Sequence, residues 1–320
     1  MKPHALLPKP NRFYLLTLCL LLACSLPLFP QADSPIIGRW DLTVEADGRE
    51  LPSWLEVKLS GTSTLVGHYV SFAGSARPIS RVHAVDSTFS FSLPPQWIGT
   101  HDMHVQGRVD GDRISGNLLF HTGTTHAFTG VRAPELLREE PAKWTRPRPL
   151  IASSGLEGWT TTPGSGTNQW QVADGVLSSA VSGANLMTVE SFGDFKLHVE
   201  FRIPEGSNSG IYLRGRYEVQ VEDGYGKEPA SIYLGGIYGF LSPNEMAARK
   251  AGEWQVYDIT LVGRRVTVEL NGKTIIHRQI IPGITGGALD SAESEPGPIM
   301  LQGDHGPVSY RNMTISVPQG

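Results

Sequence analysis

Three segments in the second half of the chain alternate apolar residues with charged, amide or tyrosine side chains. They occupy residues 208–215, 217–223 and 298–306. Because successive side chains of a β-strand point to opposite faces, each segment would have one apolar face and one polar face. Carboxylates, guanidinium groups, amides and an imidazole on one sheet face could bind a polar ligand and move its protons.

The same alternation predicts which residues share the polar face. If the strands are neighbours, one concave sheet is lined by Glu200, Arg202, Arg214, Glu218, Gln220 and Gln302. The alternative is a solvated outer face with exposed ion pairs, each of which contributes about 0–1 kcal/mol. The interleaved amides and tyrosines favour the ligand site.

One histidine is a candidate general base. His305 follows Asp304 and lies between Gly303 and Gly306, which indicates a turn. The unperturbed pKa of histidine, about 6.5, suits proton transfer at neutral pH. From these residues alone, a surface loop histidine is an equally good interpretation. Tyr238 lies in a second glycine-rich segment, where the backbone either approaches a ligand or simply bends.

Other catalytic classes lack their motifs in this sequence. It contains no phosphate-binding Walker loop, no dinucleotide-binding fingerprint, no zinc-protease motif and no nucleophile elbow. A metal site in the first half is poorly supported, because His101 and His104 at i and i+3 of a strand would point to opposite faces.

The composition predicts an all-β protein of two domains. The chain has 320 residues, of which 36 are Gly, 23 are Pro and 18% are charged, a balance typical of short strands and many turns. Residues 36–132 are predicted to form a small β-barrel or sandwich, 133–149 a Pro-rich linker, and 150–320 a second β-rich domain. Asp-Gly or Asn-Gly pairs at 47–48, 110–111, 174–175 and 271–272 predict hairpin turns.

One helix is predicted in the second domain. Ser242 is a helix-capping residue and Pro243 suits the first helical position. Glu245 would complete a capping box, and Gly252 would end the helix. The rest of the domain is predicted to consist of strands.

Residues 1–24 resemble an export signal. Three basic residues precede an apolar run that is too short to span a bilayer. The run ends at Cys24 in a sequence similar to a bacterial lipobox, so we expect either lipidation of Cys24 or simple cleavage near Ala32. Residues 25–35 would then be a tether. The protein is therefore predicted to be exported to the periplasm or cell envelope, with a membrane contact only through that lipid anchor.

The cysteine positions and the net charge argue against thiol chemistry and against nucleic acid as a partner. Cys19 and Cys24 both lie in the signal, so no disulfide or thiol chemistry is expected in the mature fold. The formal charge of −4 becomes more negative when the basic signal is removed. An acidic protein is a poor partner for nucleic acid.

Ordered motifs run through the second half of the chain. They are Gly158-Trp159, Trp170 with Asp174-Gly175, the segment 192–195, the three segments above, the glycine-rich segment around Tyr238, Trp254, Asn271-Gly272 and the segment 310–312. With these motifs, residues 150–317 resemble the 3-keto-disaccharide hydrolase domain family. The resemblance implies a concanavalin-like jelly-roll sandwich that acts on an oligosaccharide or glycoside whose sugar carries a ketone at C3. It implies nothing for residues 36–132.

A ketone at C3 would make the C2 hydrogen acidic, and its removal would give an enolate that can expel the C1 substituent before water adds. The resemblance and the strand faces together indicate Glu218 or His305 as the base and Arg214 as the partner of the enolate oxygen. Glu200 or Asp223 would assist the leaving oxygen. A divalent metal with His and carboxylate ligands is the alternative to Arg214, and no cofactor is otherwise predicted. The residues predicted to bind the sugar are Asn208, Tyr212, Gln220, Tyr238, Gln302 and Arg202.

Three other functions are consistent with the sequence. A jelly-roll sandwich can be a non-catalytic carbohydrate-binding module. It can also be a conventional glycoside hydrolase, which would use two carboxylates on an unoxidised sugar. The third is an envelope or adhesion scaffold in which residues 36–132 are the active part.

Overall fold

The computed structural model describes residues 33–97 and 99–319, and within them all regular structure is β. The predicted signal, Cys19, Cys24 and most of the tether lie outside the described residues. The 21 strands are β1 Gly38–Ala46, β2 Arg49–Ser60, β3 Thr64–Val70, β4 Arg77–Val85, β5 Thr88–Leu93, β6 Met103–Asp110, β7 Arg113–Leu119, β8 Thr125–Arg132, β9 Arg148–Pro149, β10 Trp159–Thr161, β11 Trp170–Ala173, β12 Val176–Ser179, β13 Leu186–Thr188, β14 Phe195–Arg202, β15 Asn208–Leu213, β16 Tyr217–Glu222, β17 Gln255–Val262, β18 Arg265–Leu270, β19 Lys273–Ile280, β20 Met300–Leu301 and β21 Val308–Ser316. In the part of the chain that the structure describes, no helix is long and apolar enough to cross a membrane.

The first eight strands form a closed antiparallel barrel, in which β8 pairs back onto β1. Alternate side chains fill its interior, for example Trp40, Leu42 and Val44 on β1, each at most 1% exposed. Closure leaves no free strand edge, which removes a common route to aggregation. The all-β prediction is confirmed, and for the first half the barrel is the alternative that holds.

The remaining strands form a two-sheet sandwich of the jelly-roll type. The five-stranded sheet has the order β10-β13-β20-β15-β16, and the larger sheet has the order β11-β12-β21-β14-β17-β18-β19 with β9 paired to β21. Apolar residues from both sheets form one core, including Val199 and Phe201 of β14 and Val219 and Val221 of β16. The opposite face of each sheet is free to carry polar groups.

The hairpin turns largely follow the predicted pairs. The turns at 47–48, 174–175 and 271–272 have positive φ at both residues, as a primed hairpin turn requires. The turn predicted at 110–111 is displaced by one residue, because Asp110 still pairs with Arg113 in the ladder. Gly111, with φ of +60°, is therefore the first residue of that turn.

The predicted helix from Ser242 to Gly252 is wrong. This segment has no helical turn, because its backbone groups bond to other elements and not to each other. The Asn244 N–H donates to the carbonyl of Ile275 at 2.8 Å, and the Asn271 side chain donates to the carbonyl of Ala247 at 2.9 Å. These tertiary contacts outweigh a local capping signal.

The Pro-rich segment 133–149 runs along the sandwich. The carbonyl of Leu136 accepts from the Arg264 N–H at 3.2 Å, and Glu140 pairs with Arg278 at 2.8 Å. The segment ends in β9, which adds to the larger sheet. It is therefore packed along its length, and the predicted domain bounds on either side of it stay a prediction.

The barrel and the sandwich also meet directly. Trp54 of β2 belongs to the sandwich core and contacts Phe240 edge-on, with ring centroids 5.3 Å apart. The loop that joins β19 to β20, here called the 281–299 loop, packs on the same indole ring. A Cβ at Gly283 would lie 2.2 Å from that ring, so only glycine fits there.

A buried ion pair fixes the 281–299 loop at this junction. Arg264 donates to Glu293, and both side chains are fully buried. Tyr217 donates to the second oxygen of Glu293 at 2.7 Å. Burial, together with the nearby charge of Glu293, raises the pKa of Asp41 on β1 to about 10, so Asp41 is protonated at neutral pH.

We predict that Glu293→Gln destabilises the protein by about 3–5 kcal/mol, because it leaves the Arg264 guanidinium buried without a counter-charge. Urea unfolding of the two proteins measures the loss. The matched control is Glu190→Gln, whose partner Arg148 is exposed and whose loss should cost less than about 1 kcal/mol. Equal losses in the two variants would contradict the prediction.

Candidate functional site

The outer face of the five-stranded sheet carries a cluster of polar side chains. Tyr217, Val219 and Val221 of β16 point into the core, so Glu218 and Gln220 point outward. Tyr212 lies opposite Glu218, and Gly210 opposite Gln220, in the β15–β16 register. The strand-face prediction holds for this part of the sheet.

Glu218 is buried at the centre of the cluster and contacts Tyr212. The Tyr212 hydroxyl lies 3.0 Å from Glu218 Oε2 and 3.0 Å from the carbonyl of Gly286. That hydroxyl has one proton for two acceptors. Both bonds can form when Glu218 is protonated, since Glu218 then donates to Tyr212 and Tyr212 donates to Gly286.

Two backbone features hold Glu218 in place. Gly210 lets the carboxylate lie directly over its Cα, because a Cβ there would be 2.3 Å from Glu218 Oε1. The Glu218 N–H donates to the Thr285 hydroxyl at 3.0 Å, which ties the strand to the 281–299 loop. Neither Gly210 nor Thr285 was predicted as part of the site. Only the position of Gly210 within the 208–215 motif carried a signal.

Burial raises the pKa of Glu218 to about 8. The Tyr212 hydrogen bond and the charge of His305 oppose this rise, whereas the charge of Asp304 adds to it. A carboxyl group with a pKa near the working pH can both accept and release a proton, which is the property required of a general base.

His305 forms a dyad with Asp304, and the charges of both residues act on Glu218. Its Nδ1 lies 2.6 Å from Asp304 Oδ1, and both side chains are about half exposed. The Asp304 hydrogen bond is the main cause that raises the pKa of His305, and the charge of Glu218 adds to it. Asn185 anchors the loop by accepting from the Gly303 N–H at 2.7 Å. Asp304 is not among the residues predicted for the site.

Two buried acceptors at the site have no hydrogen-bond partner among the described residues. They are Oδ1 of Asn208 and Oε1 of Gln302. Buried acceptors of this kind can accept hydrogen bonds from ligand hydroxyls. Tyr238 lies at the edge of the sheet, where its N–H donates to the Glu218 carbonyl at 3.0 Å. Burial raises the pKa of the Tyr238 hydroxyl, which therefore stays a neutral donor.

Gln220 and Asp223 have structural contacts of their own. Gln220 donates to the carbonyl of Ile232 at 3.4 Å and so holds the loop that precedes Tyr238. Asp223 follows β16 and accepts from the Gly206 N–H at 3.2 Å. Within the described part of the chain, no hydrogen bond connects Asp223 to Glu218.

The prediction that Arg214 and Glu218 share one hollow is wrong. β15 ends at Leu213, and Arg214 has a left-handed backbone with φ of +54°, so its side chain leaves the strand alternation. Its guanidinium is buried on the core side, 2.9 Å from the Tyr217 hydroxyl and 3.0 Å from the carbonyl of Gly263. Arg214 therefore belongs to the network around Tyr217 and does not face the ligand site.

Glu200 and Arg202 are also misplaced by the prediction. Both lie on β14, in the larger sheet, and they point outward on the far side of the sandwich. Glu200 pairs with Arg311 at 2.7 Å, and Arg202 lies over the ring of Trp254 at 4.8 Å. This face is the solvated, ion-paired surface that was the alternative interpretation.

A metal ion has no evident protein site in the described chain. Among the described residues, no group of three or more His, Cys, Asp or Glu side chains could hold one. The site therefore does not fit the His and carboxylate ligand set that was the alternative to Arg214.

Comparisons with known proteins cover the second half of the chain. The family model of the 3-keto-alpha-glucoside-1,2-lyase-like domain matches residues 146–316, which is more than half of the sequence. A candidate glycosyl hydrolase of known structure from Parabacteroides distasonis ATCC 8503 is 33% identical over 54% of this chain and 84% of that chain, with a TM-score of 0.47. The carbohydrate-binding module CBM66 from Bacillus subtilis is 15% identical over 49% of this chain and 94% of that chain, with a TM-score of 0.34. No curated protein matches the sequence.

We predict that Glu218→Gln becomes more stable than the wild type as the pH rises. The pKa of Glu218 is about 8 in the folded protein and 4.5 ordinarily, so the folded state holds this proton between these values while the unfolded state loses it. The wild type therefore loses stability across this window, by up to a few kcal/mol (roughly 1.4 per pKa unit), and glutamine does not. Urea unfolding at pH 5 and pH 9 measures the difference.

The control variant, Glu200→Gln, should show the opposite change of stability with pH. Hydrogen bonds from Asn312 and Arg311 outweigh burial and lower the pKa of Glu200, so its carboxylate stabilises the fold above pH 4.5. Glu200→Gln should therefore be less stable than the wild type at pH 9 and close to it at acidic pH. A Glu218→Gln protein that weakens relative to the wild type with rising pH would show that the carboxyl group is not a buried acid.

Proposed function

Because the chain belongs to the 3-keto-alpha-glucoside-1,2-lyase-like family through residues 146–316, we propose that it cleaves 3-keto-glycosides by elimination and rehydration. The family resemblance predicted from the sequence is confirmed, and it makes the chain a carbohydrate-active, glycoside-acting protein. One observation carries the finer proposal. Glu218 is a buried carboxyl group with a pKa of about 8, and its charge interacts with that of the His305 imidazole at the outer face of the five-stranded sheet.

The first step is removal of the C2 proton. Glu218, as the carboxylate, takes this proton, and the electrons of the C2–H bond form a C2–C3 double bond. Negative charge then moves to the C3 oxygen. The neutral Tyr238 hydroxyl is the nearby donor that can stabilise this oxygen, and it replaces Arg214 in that role.

The second step breaks the glycosidic bond. The enolate reverts to the ketone, a C1–C2 double bond forms, and the C1–O bond breaks with its electron pair on the leaving oxygen. Protonated His305, whose pKa is raised by Asp304, gives its proton to that oxygen. His305 then takes a proton from water, whose hydroxyl adds to C1, and Glu218 returns its proton to C2. Both residues are restored, and the net reaction is hydrolysis.

Substrate binding would use two buried acceptors that have no hydrogen-bond partner among the described residues. The buried acceptors of Asn208 and Gln302 would accept from sugar hydroxyls, which removes the cost of leaving them unpaired. A site that depends on such bonds rejects an analogue that cannot make them.

A matched pair of glucosides tests the proposal, one with the C3 carbonyl and one without. The wild type should release the aglycone only from the keto form, at enzyme concentrations far below substrate and with or without chelator. Glu218→Gln should lower kcat by roughly 10²–10⁴-fold, the usual contribution of a general base. Glu200→Gln, the same change on the opposite sheet, should keep full turnover.

The other outcomes separate the alternative functions. Cleavage of the unoxidised glucoside would indicate a conventional glycoside hydrolase. Binding without turnover would indicate a carbohydrate-binding module. Full activity of Glu218→Gln would remove that residue from the mechanism.

We also propose that the protein acts after export, on the basis of the signal-like composition of residues 1–24. Mass spectrometry of the protein from bacterial envelope fractions should find a chain that begins at a lipidated Cys24 or near Ala32. A full-length chain that begins at Met1 and stays in the cytoplasm would contradict this proposal.

A further inference from the structure

The β3–β4 loop of the barrel, residues 71–76, lies against one flank of the Glu218 site. The Phe72 carbonyl accepts from the Gly287 N–H at 3.3 Å. A Cβ at Gly286 would be 1.9 Å from the Gly74 carbonyl oxygen, so the two backbones are in direct contact. Gly286 and Gly287 in turn contact the Tyr212 hydroxyl. These glycines and Tyr212 connect the barrel loop to Glu218.

The same loop touches the other flank of the site. Gly239 follows Tyr238, and a Cβ on Gly239 would lie 2.6 Å from the Ala76 N and 2.9 Å from the Ser75 side chain. A second backbone contact therefore joins the barrel to the strand-like segment that carries Tyr238. Contacts on both flanks place the loop at the rim of the proposed sugar site.

A cavity of about 200 Å³ opens in the barrel under this loop. We call it the barrel pocket, and its apolar walls are formed by Tyr69, Phe72, Leu93, Trp97, Met103 and Phe120. Phe72 stacks on Phe120 with ring centroids 5.2 Å apart. Phe72 therefore links the barrel pocket to the Glu218 site, since its carbonyl bonds to the 281–299 loop and its ring lines the pocket.

Trp97 forms the outer wall of the pocket and is 66% exposed. Its ring lies 3.3 Å from the Cβ position of Gly74, and the adjacent Gln96 bonds to the Ser75 hydroxyl at 3.0 Å. An exposed indole that forms one wall of a cavity can stack on an aromatic ligand. The barrel core does not need this ring, because its own aromatic residues are buried without it.

We propose that the barrel pocket binds an aromatic or apolar aglycone of the glycoside whose sugar lies at Glu218. This inference rests on the proposed function and adds the substrate class to it. The volume suits one substituted aromatic ring, since an apolar cavity of about 150 Å³ accepts benzene. A second sugar would lose hydration of its hydroxyls against these walls without enough polar partners in return. The barrel thereby acquires a role as the specificity-determining part of the enzyme.

The test compares two 3-keto-glucosides, one with a phenyl and one with a methyl aglycone, in both anomeric forms. The wild type should prefer the phenyl compound in kcat/KM. Trp97→Ala should reduce this preference about 10-fold, mainly through KM, because it removes one aromatic wall and leaves the methyl compound unaffected. Val85→Ala is the matched control, since Val85 is 70% exposed on the barrel hairpin away from the pocket.

Two results would overturn the inference. One is a phenyl-to-methyl ratio that stays unchanged in Trp97→Ala, and the other is a ratio that falls equally in Val85→Ala. Trp97 is exposed, so its replacement should not impair folding, and an unfolding curve checks this.

A binding measurement separates this inference from the proposed function. If the wild type cleaves neither keto-glucoside, the proposed function fails, and calorimetry with unoxidised phenyl and methyl glucosides then tests the pocket alone. Tighter binding of phenyl glucoside that is lost in Trp97→Ala would still support an aromatic site. Equal binding of the two glucosides, or binding of free phenol as tightly as phenyl glucoside, would overturn the link between pocket and sugar site.

Discussion

The buried ion pair between Arg264 and Glu293 is the interaction on which the arrangement of the site depends. Neither side chain reaches water, so each charge is tolerated only because the other is in place. The pair fixes the 281–299 loop between the barrel and the sandwich. That loop supplies the Thr285 hydroxyl, which holds the backbone of Glu218, and the Gly286 carbonyl, which accepts from Tyr212. A charge pair that takes no part in the proposed chemistry thus sets the position of the groups that perform it.

Glu218 shows the opposite use of a buried charge. Among the described residues, no cation forms a salt bridge with Glu218. Burial therefore raises the pKa of this carboxyl group, which no ion pair stabilises in its charged form. The fold gives up stability at this carboxyl group, and a strained or desolvated group of this kind is typical of a functional site. Arg214, the cation that was predicted to face Glu218, is directed to the core side by its left-handed turn. The protein therefore keeps a strong cation away from the acid whose pKa it raises.

The sequence was sufficient for features that depend on local geometry. The period of two along a strand predicted correctly that Tyr212, Glu218 and Gln220 share one face, and three of the four hairpin turns lie at the predicted residues. It was not sufficient for features that depend on pairing between distant strands. Glu200 has the same alternation as Glu218, but β14 pairs with β17 and β21, which puts Glu200 in the other sheet. The helix predicted from Ser242 failed for a related reason, since partners such as Ile275 are far away in sequence.

The role of the barrel follows from the position of β16 at the edge of its sheet. A carboxyl group on an edge strand would ordinarily be open to water, which would return its pKa to the usual range. Here the segment at Tyr238 extends the sheet beyond β16, and the 281–299 loop covers the end where Tyr212 lies. The Tyr238 segment and the 281–299 loop both pack against the β3–β4 loop of the barrel, through Gly239 and Gly286. The first half of the chain is therefore part of the environment that keeps Glu218 buried, and its contact with the site would persist whether or not the barrel pocket receives an aglycone.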